Sequence, residues 1–430
     1  MCKKASDKMK YIADLHTHSK YAGACSDKLT LENMASSASQ KGISILGTGD
    51  FTHPLWFNEI KSKLHSKGNG VYHLERQEVN FILTTEVSII FSTGSGNPSL
   101  FSRDANNKKI HNCIMAPNIE VAEQINERLS KFGDLKLDGR PVLTISAAHL
   151  VELMHGIDKD IIVYPAHIWT PWFGAFGSLS GFDSMKDAYE DQEMHIHALE
   201  TGLSSDPSMN WRVSSLDKYS LLSGSDAHSL EKLGREVTIF DMKNVSYFDI
   251  QNLIKNKNVD STIEFYPEEG KYHYDGHRRC NISISPEDAK KYNNICPVCR
   301  KKLTIGVLHR VEDLADREPG YKPKNVSPYI HAIPLREIIA EANSKGINTL
   351  SVKTKYDELI NNLGTELFIL TDCKIEKIMQ IDENVGNAIR NVRNGEVNIS
   401  PGYDGVFGVI DVMNKNPIKK KGMQRTMRDF

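Results

Sequence analysis

The sequence predicts an α/β fold over residues 11 to about 257, arranged as a barrel or a doubly wound sheet. Three observations carry this expectation. Short apolar runs alternate with helical stretches, metal-capable side chains stand at the ends of those runs, and the composition is that of a soluble globular chain. Of 430 residues, 40% are hydrophobic and 25% charged.

The apolar runs come first. "YIADLH", "ISILGTG", "NFILTTEV", "IHNCIMA", "IIVYPAH", "IHALETG" and "YSLLSGS" have the length and content of buried strands. Between them, "TLENMASSASQKG" reads as a helix capped by Thr30 and stopped at Gly42, and "IEVAEQINERLSKFG" as a helix with the same glycine stop.

The polar residues at the run ends come second. His16 and His18 close the first run, Asp50 the second and Glu86 the third; His111 lies at an end of the fourth, His167 ends the fifth, and Asp226 with His228 end the last. In a parallel barrel these ends gather at one face. Imidazoles and carboxylates there suit zinc, manganese or iron, and a mixed set leaves positions for water and substrate. Two ions about 4 Å apart, bridged by a carboxylate such as Glu86 or Asp226, stabilise the attacking and leaving oxygens of a phosphoryl displacement. Strand alternation sets Asp14 on the face of His16 and His18, where it is read as orienting a histidine. His149, His155, His195 and His197 lack a matching pattern and are read as structural.

Charge and cysteine usage come third. A net charge of -2 gives no overall drive toward nucleic acid or an anionic membrane, so any such contact needs a local patch. No run of about 18 apolar residues is present, and "MCKKASDKMK" lacks the apolar stretch of a signal peptide, so a cytoplasmic protein without membrane partners is expected. Of seven cysteines, Cys280, Cys296 and Cys299 fall within twenty residues. "HRRC" followed by "CPVC" offers His277, Cys280, Cys296 and Cys299 for one structural Zn²⁺, with His273 as a competitor for the histidine position. Arg278, Arg279, Arg300, Lys301 and Lys302 flank this ribbon and could touch phosphates.

"DLHTHS", "GTGD", "TTEV", "IHNCIMAP", "YPAH" and "GSDAH" resemble, in order, the motifs of the PHP (polymerase and histidinol phosphatase) superfamily. The resemblance implies a distorted (β/α)7 barrel over 1–262. It also implies at least two divalent ions (Zn²⁺, Mn²⁺ or Mg²⁺) held by His16, His18, Glu86, His111, His167, Asp226 and His228, with Glu86, Asp226 and His228 nearest the chemistry. Where the superfamily commonly reads Asp-His, Asp50 is followed here by Phe51, with His53 further on; Asp50 either binds a metal or orients a ligand.

The whole arrangement resembles the endonuclease Q family. The likeness rests on "SDAHSLEKLGRE", "HIWTPW", "ETGLSSD", "GVLHRVEDLADR" after the ribbon, and "RNGEVNISPGYDGVFGVI". It implies a metal-dependent DNA repair endonuclease that nicks 5′ of deaminated bases (uracil, hypoxanthine, xanthine) and of abasic sites. "HIWTPWFGAFGSLSGF" places Trp169, Trp172, Phe173 and Phe176 directly after His167, and this loop is expected to form a wedge or part of a base pocket. Domains are expected at 1–262 (barrel), 263–312 (zinc ribbon), 313–412 (an α+β module that binds DNA) and 413–430 (a flexible basic tail). In the module "PLREIIAEANSKG" and "NVGNAIRNVRNG" read as helices, "ELFILTDC" and "GVFGVIDV" as apolar runs. The tail's Gln424, Met427 and Phe430 resemble the box that docks on PCNA-type sliding clamps. The competing readings are a PHP phosphatase acting on a small phosphomonoester and a non-catalytic, clamp-associated DNA scaffold.

Overall fold

A computed structural model describes residues 9–94, 98–99 and 106–414. The tail residues Gln424, Met427 and Phe430 lie outside the described residues.

All seven expected strands form. In chain order the strands are β1 (Met9–Asp14), β2 (Ile45–Gly47), β3 (His65–Gly68), β4 (Val71–His73), β5 (Asn80–Ser92), β6 (Asn107–Ala116), β7 (Val142–Leu143), β8 (Ile162–Pro165), β9 (Ala198–Glu200), β10 (Ser220–Leu222), β11 (Val237–Met242), β12 (Ser261–Glu264), β13 (Asp275–His277), β14 (Ile282–Ile284), β15 (Tyr329–His331), β16 (Asn398–Ser400) and β17 (Val409–Asp411). The main sheet runs β15-β12-β11-β1-β2-β5-β4-β3, with β6 and β7 also on β5 and β8 on β6.

This sheet is mixed rather than parallel. β1–β2 and β2–β5 are parallel, whereas β1–β11, β5–β6 and β6–β8 are antiparallel. No helix is described between β5 and β6, and antiparallel neighbours need no crossover. β9 and β10 form a separate parallel pair. The strands nevertheless share one interior: Ala13, Ile45, Ile82, Met115, Ile162, Ala198, Leu222 and Phe240 belong to a single buried apolar cluster. A larger core lies where the helices cover the strands and includes Met34, Trp56, Phe81, Ile125 and Trp169.

Helix Leu31–Lys41 obeys its expected limits, with the Thr30 side chain accepting from Asn33 N and Gly42 at φ +88°. Helix Ile119–Leu129 starts at its Asn118 cap but stops at Ser130, short of the expected Gly133, because the chain tightens there into a turn closed by Phe132 N on Leu129 O.

The sheet runs past residue 262, since β12 continues to Glu264 and pairs with β15. Beyond β15 come helices Leu335–Ala342, Leu350–Leu363, Glu366–Thr371, Ile375–Ile381 and Glu383–Asn394. "ELFILTDC" is therefore mainly helical, not a strand-like run; it buries Leu367, Ile369 and Leu370 against neighbouring helices. The β16–β17 hairpin then returns to the segment around β13 and β14, where Thr304 Oγ1 donates to Asp404 Oδ1 and Arg278 N to Asp404 Oδ2, both at 2.6 Å. Among the described residues, no helix is long and apolar enough to cross a membrane.

Candidate metal centre

Glu86 organises the centre from the middle of β5, not its end. The antiparallel register sets Glu86 opposite Cys113 and Ser88 opposite His111. Directly opposed residues share a face, so Glu86, His111 and Cys113 all point inward together. The two oxygens of Glu86 then face two different groups. Oε1 lies 2.7 Å from His111 Nδ1 and 3.0 Å from His167 Nε2. Oε2 lies 3.5 Å from His16 Nε2 and 3.3 Å from His18 Nε2. Asp226 Oδ1 completes the second group, 3.0 Å from His18 Nε2 and 3.8 Å from His16 Nε2. A parallel bridge between Thr17 and Ala227 aligns the two loops that carry these residues.

The hydrogen bonds behind the imidazoles fix which nitrogen faces inward. His16 Nδ1 donates to both oxygens of Glu200 at 2.9 Å, and His18 Nδ1 donates to Asp50 at 2.9 Å. His167 Nδ1 donates to Thr170 Oγ1 at 2.9 Å, whose own proton goes to His167 O. Each of the three Nε2 atoms thus faces carboxylate oxygens, and with the ring proton on Nδ1 a divalent ion between them, or a second ring proton, relieves the meeting of acceptors. His16 Nε2 is buried without a hydrogen-bond partner, as befits a nitrogen whose lone pair is reserved for a metal. The residues therefore fit divalent ions, one group being His16, His18, Glu86 and Asp226 and the other Glu86, His111 and His167.

Electrostatics agree with the geometry. Burial would raise the Glu86 carboxyl, but His111, His16 and Arg140 outweigh it and hold it well below its usual range. Burial likewise opposes ionisation of Asp226, yet the hydrogen bond from His18 and the charge of His16 keep it ionised. Burial pushes His111 down to about 4, against the upward pull of Glu86. The backbone is strained at the same place: Asp50, His167 and Asp226 all have positive φ, at 47°, 30° and 47°.

Not every expected residue stands where the sequence put it. Asp50 is fully buried behind His18 and accepts from Ser19 N at 2.6 Å, a position for orienting the ligand. Asp14 holds no histidine; it accepts from Ser225 N and Gly234 N, because β1 ends at Asp14 and the alternation does not extend to His16. His228 stands at the rim, its side chain 34% exposed and its ring 4.9 Å from that of His18. Trp169 and Phe176 are core residues, their rings 5.1 Å apart and Trp169 Nε1 donating to Asn210, so neither can stack on a base. Trp172 is 44% exposed and packs edge-on against Tyr272, while Phe173 lies 4.4 Å from the His111 ring. Arg278 and Arg279 are exposed between β13 and β14. There His277, Cys280, Cys296 and Cys299 converge, and His273 is buried elsewhere.

Sequence reasoning passed over four residues. Glu200 supports His16 and also accepts from His167 N at 2.8 Å; its place at the end of β9 was the available signal. A side chain at position 224 would collide with this pair, its Cβ 2.6 Å from His16 Cβ, so Gly224 is required. Cys113 adjoins His16 and Glu200, and Arg140 Nη1 donates to Glu86 Oε2 at 3.3 Å.

The lesion-specific endonuclease PfuEndoQ of Pyrococcus furiosus superposes with a TM-score of 0.83 and 31% identity, over 95% of this chain and 98% of that one. This chain belongs to the endonuclease Q family. An endonuclease Q bound to a 27-mer duplex with an abasic lesion at the active site matches almost as well (TM-score 0.81, 31% identity, 96% and 100% coverage). Membership of the endonuclease Q family places the chain among the nucleases. Residues 334–396 match a family model described as the MJ0043 C-terminal domain. The protein MJ0043 of Methanocaldococcus jannaschii is 34% identical over 249 residues, which is 56% of this chain but only 31% of that protein's length.

Proposed function

We propose that this endonuclease Q is a metal-dependent DNA repair endonuclease that hydrolyses the phosphodiester 5′ to deaminated bases and abasic sites. The observation that carries the reading is the single carboxylate, Glu86, whose two oxygens serve two groups of imidazoles. Divalent ions bound there would supply an activated water and neutralise charge on the phosphate and the leaving 3′-oxygen. The chain's own residues hold that arrangement rigid: Glu200, Asp50 and Thr170 fix the imidazoles from behind, and the strained Asp226 and His167 project into the mouth. His228 at the rim is the ligand most open to substrate.

In this reading the strands around the inner core are the distorted (β/α)7 barrel. Residues 263–312 are a zinc ribbon closed by His277, Cys280, Cys296 and Cys299, and 313–412 are a DNA-binding module. Exposed Trp172, Arg278 and Arg279 meet the duplex, and the tail residues Gln424, Met427 and Phe430 dock on a PCNA-type clamp. Support for DNA as partner comes from the related complex that holds a lesion-bearing duplex.

The test uses purified protein, Mg²⁺ or Mn²⁺, and labelled duplexes with and without one deoxyuridine or abasic site. A nick confined to the 5′ side of the lesion is expected. Turnover of p-nitrophenyl phosphate alone would instead mark a phosphomonoesterase, and no turnover with any metal a scaffold. A clamp pull-down with the full chain, and with a chain lacking residues 422–430, decides the clamp contact.

A further inference from the structure

Arg140 is the one non-imidazole cation paired with Glu86 among the described residues. It comes from the loop between helix Ile119–Leu129 and β7, and that loop is fastened on several sides. Gly139 N donates to Tyr21 O at 3.0 Å, Thr52 Oγ1 donates to Gly139 O at 3.3 Å, and Asp138 Oδ1 accepts from both Arg140 N and Gly23 N. A Cβ at position 139 would lie 2.5 Å from Asp50 Oδ2, so only glycine lets the loop pass behind the residue that orients His18. The backbone of Arg140 is thus held against the metal centre.

Its guanidinium is held far less. Among the described residues its one acceptor is Glu86 Oε2, at 3.3 Å from Nη1, and the side chain remains 27% exposed. An arginine placed to neutralise a buried carboxylate would normally spend its fork on a bidentate pair. Here one N–H is engaged and the others are left for an acceptor outside the protein. That acceptor must sit beside Glu86 Oε2, the oxygen that also faces His16 and His18.

We infer that Arg140 is a catalytic residue that grips a non-bridging oxygen of the scissile phosphate. The inference rests on the phosphodiesterase reading above. In that hydrolysis a water oxygen bonds to phosphorus, the bond to the 3′-oxygen breaks, and the water's proton ends on that 3′-oxygen. Negative charge on the non-bridging oxygens is greatest between these events, where a fixed guanidinium contributes most. Lysine keeps the charge but cannot present two parallel N–H groups.

The test compares wild type with Arg140→Ala and Arg140→Lys on an abasic duplex and on bis(p-nitrophenyl) phosphate, with metal content and duplex binding measured in parallel. Arg140→Ala should lower kcat about 10²–10³-fold, with metal content and duplex affinity almost unchanged, and Arg140→Lys should recover only part of the loss. In wild type, sulfur in place of one non-bridging oxygen should slow one phosphorothioate diastereomer more than the other, and Arg140→Ala should level that difference. Loss of bound metal, an effect confined to KM, or an unaltered sulfur preference overturns the inference. If wild type cleaves the small diester but no duplex, the DNA reading fails, and the effect of Arg140→Ala on the diester judges Arg140 alone. A wild type that cleaves neither overturns both.

Discussion

Glu200 offers the sharpest test of how the metal centre is supported. Its carboxylate accepts the His16 Nδ1–H with both oxygens at 2.9 Å and the His167 backbone N–H at 2.8 Å, with Glu200 1% and His16 2% exposed. Glu200→Ala leaves both donors unpaired where water has little access. A buried hydrogen bond to a charged group is worth about 1.5–3 kcal/mol. The share that falls on His16 sets how firmly its Nε2 is aimed, and about 1.5–3 kcal/mol converts to roughly 10–150-fold in affinity. Loss of such a carboxylate behind a ligating histidine typically costs about 10–100-fold, so the two estimates meet. Glu200→Gln can keep one oxygen for both His16 Nδ1 and His167 N but loses the charge and sets its amide N–H₂ against the second contact with His16 Nδ1, and should cost about tenfold. Calorimetric titration with Mn²⁺ or Zn²⁺, alongside thermal melting, separates affinity from folding. A folded Glu200→Ala protein that binds metal as tightly as wild type would refute the reasoning.

Three further outcomes follow from the same geometry. Trp169→Ala should destabilise the fold by about 3–5 kcal/mol, whereas Trp172→Ala should leave melting unchanged and weaken duplex binding; equal melting shifts would contradict the split between core and surface. If His277, Cys280, Cys296 and Cys299 hold zinc as proposed, chelation or Cys296→Ser should raise hydrogen exchange in both 274–304 and the β16–β17 hairpin, since Asp404 and Tyr403 tie them together; a change confined to 274–304 would contradict that tie. Burial raises both the Glu264 carboxyl and the neighbouring Glu236 carboxyl, the first against hydrogen bonds from Ser223, Thr262 and Thr201. The folded chain thus keeps on this pair a proton that the unfolded chain releases, so the stability is full below the ordinary carboxylate range and falls as pH rises through and above it. Denaturant melts across that range should show a flatter slope when both are replaced (Glu236→Gln with Glu264→Gln), and identical slopes would count against the assignment.

The strands were legible because each buried strand is an apolar run, and the metal-capable residues because they punctuate those runs. What the runs could not show was pairing. Glu86 and His111 read as strand ends, yet β5 and β6 extend beyond them as an antiparallel ribbon, and cross-strand register is a long-range property. Asp14 was misplaced for a related reason, since alternation holds only while the chain stays extended and β1 stops there. Glu200 stood at a strand end like the others and was passed over inside "ALETG". Trp169 and Trp172, three residues apart in one loop, differ only in the tertiary contacts they find, and no periodicity distinguishes them.

On the proposed reading the centre acts on a phosphodiester, and nothing in His16, His18, Glu86 or Asp226 can sense which base is attached to it. On that reading, lesion choice must therefore come from elements that reach over the mouth without supplying ligands. The structure joins three of them. Arg310 donates to the Phe176 and Phe182 carbonyls and pairs with Asp183, fastening the loop after His167 to helix Val307–Leu314. Trp172 of that loop meets Tyr272 of the ribbon, and Asp404 of the hairpin holds Arg278 and Thr304. The loop alone touches the centre, through Thr170 on His167 and Phe173 on His111. A duplex that shifts the ribbon or hairpin thus has a short mechanical route to the ligands through residues 167–182. Substitutions at Asp404 should alter the preference among lesions while leaving turnover of a small diester intact, because the former depends on that route and the latter does not.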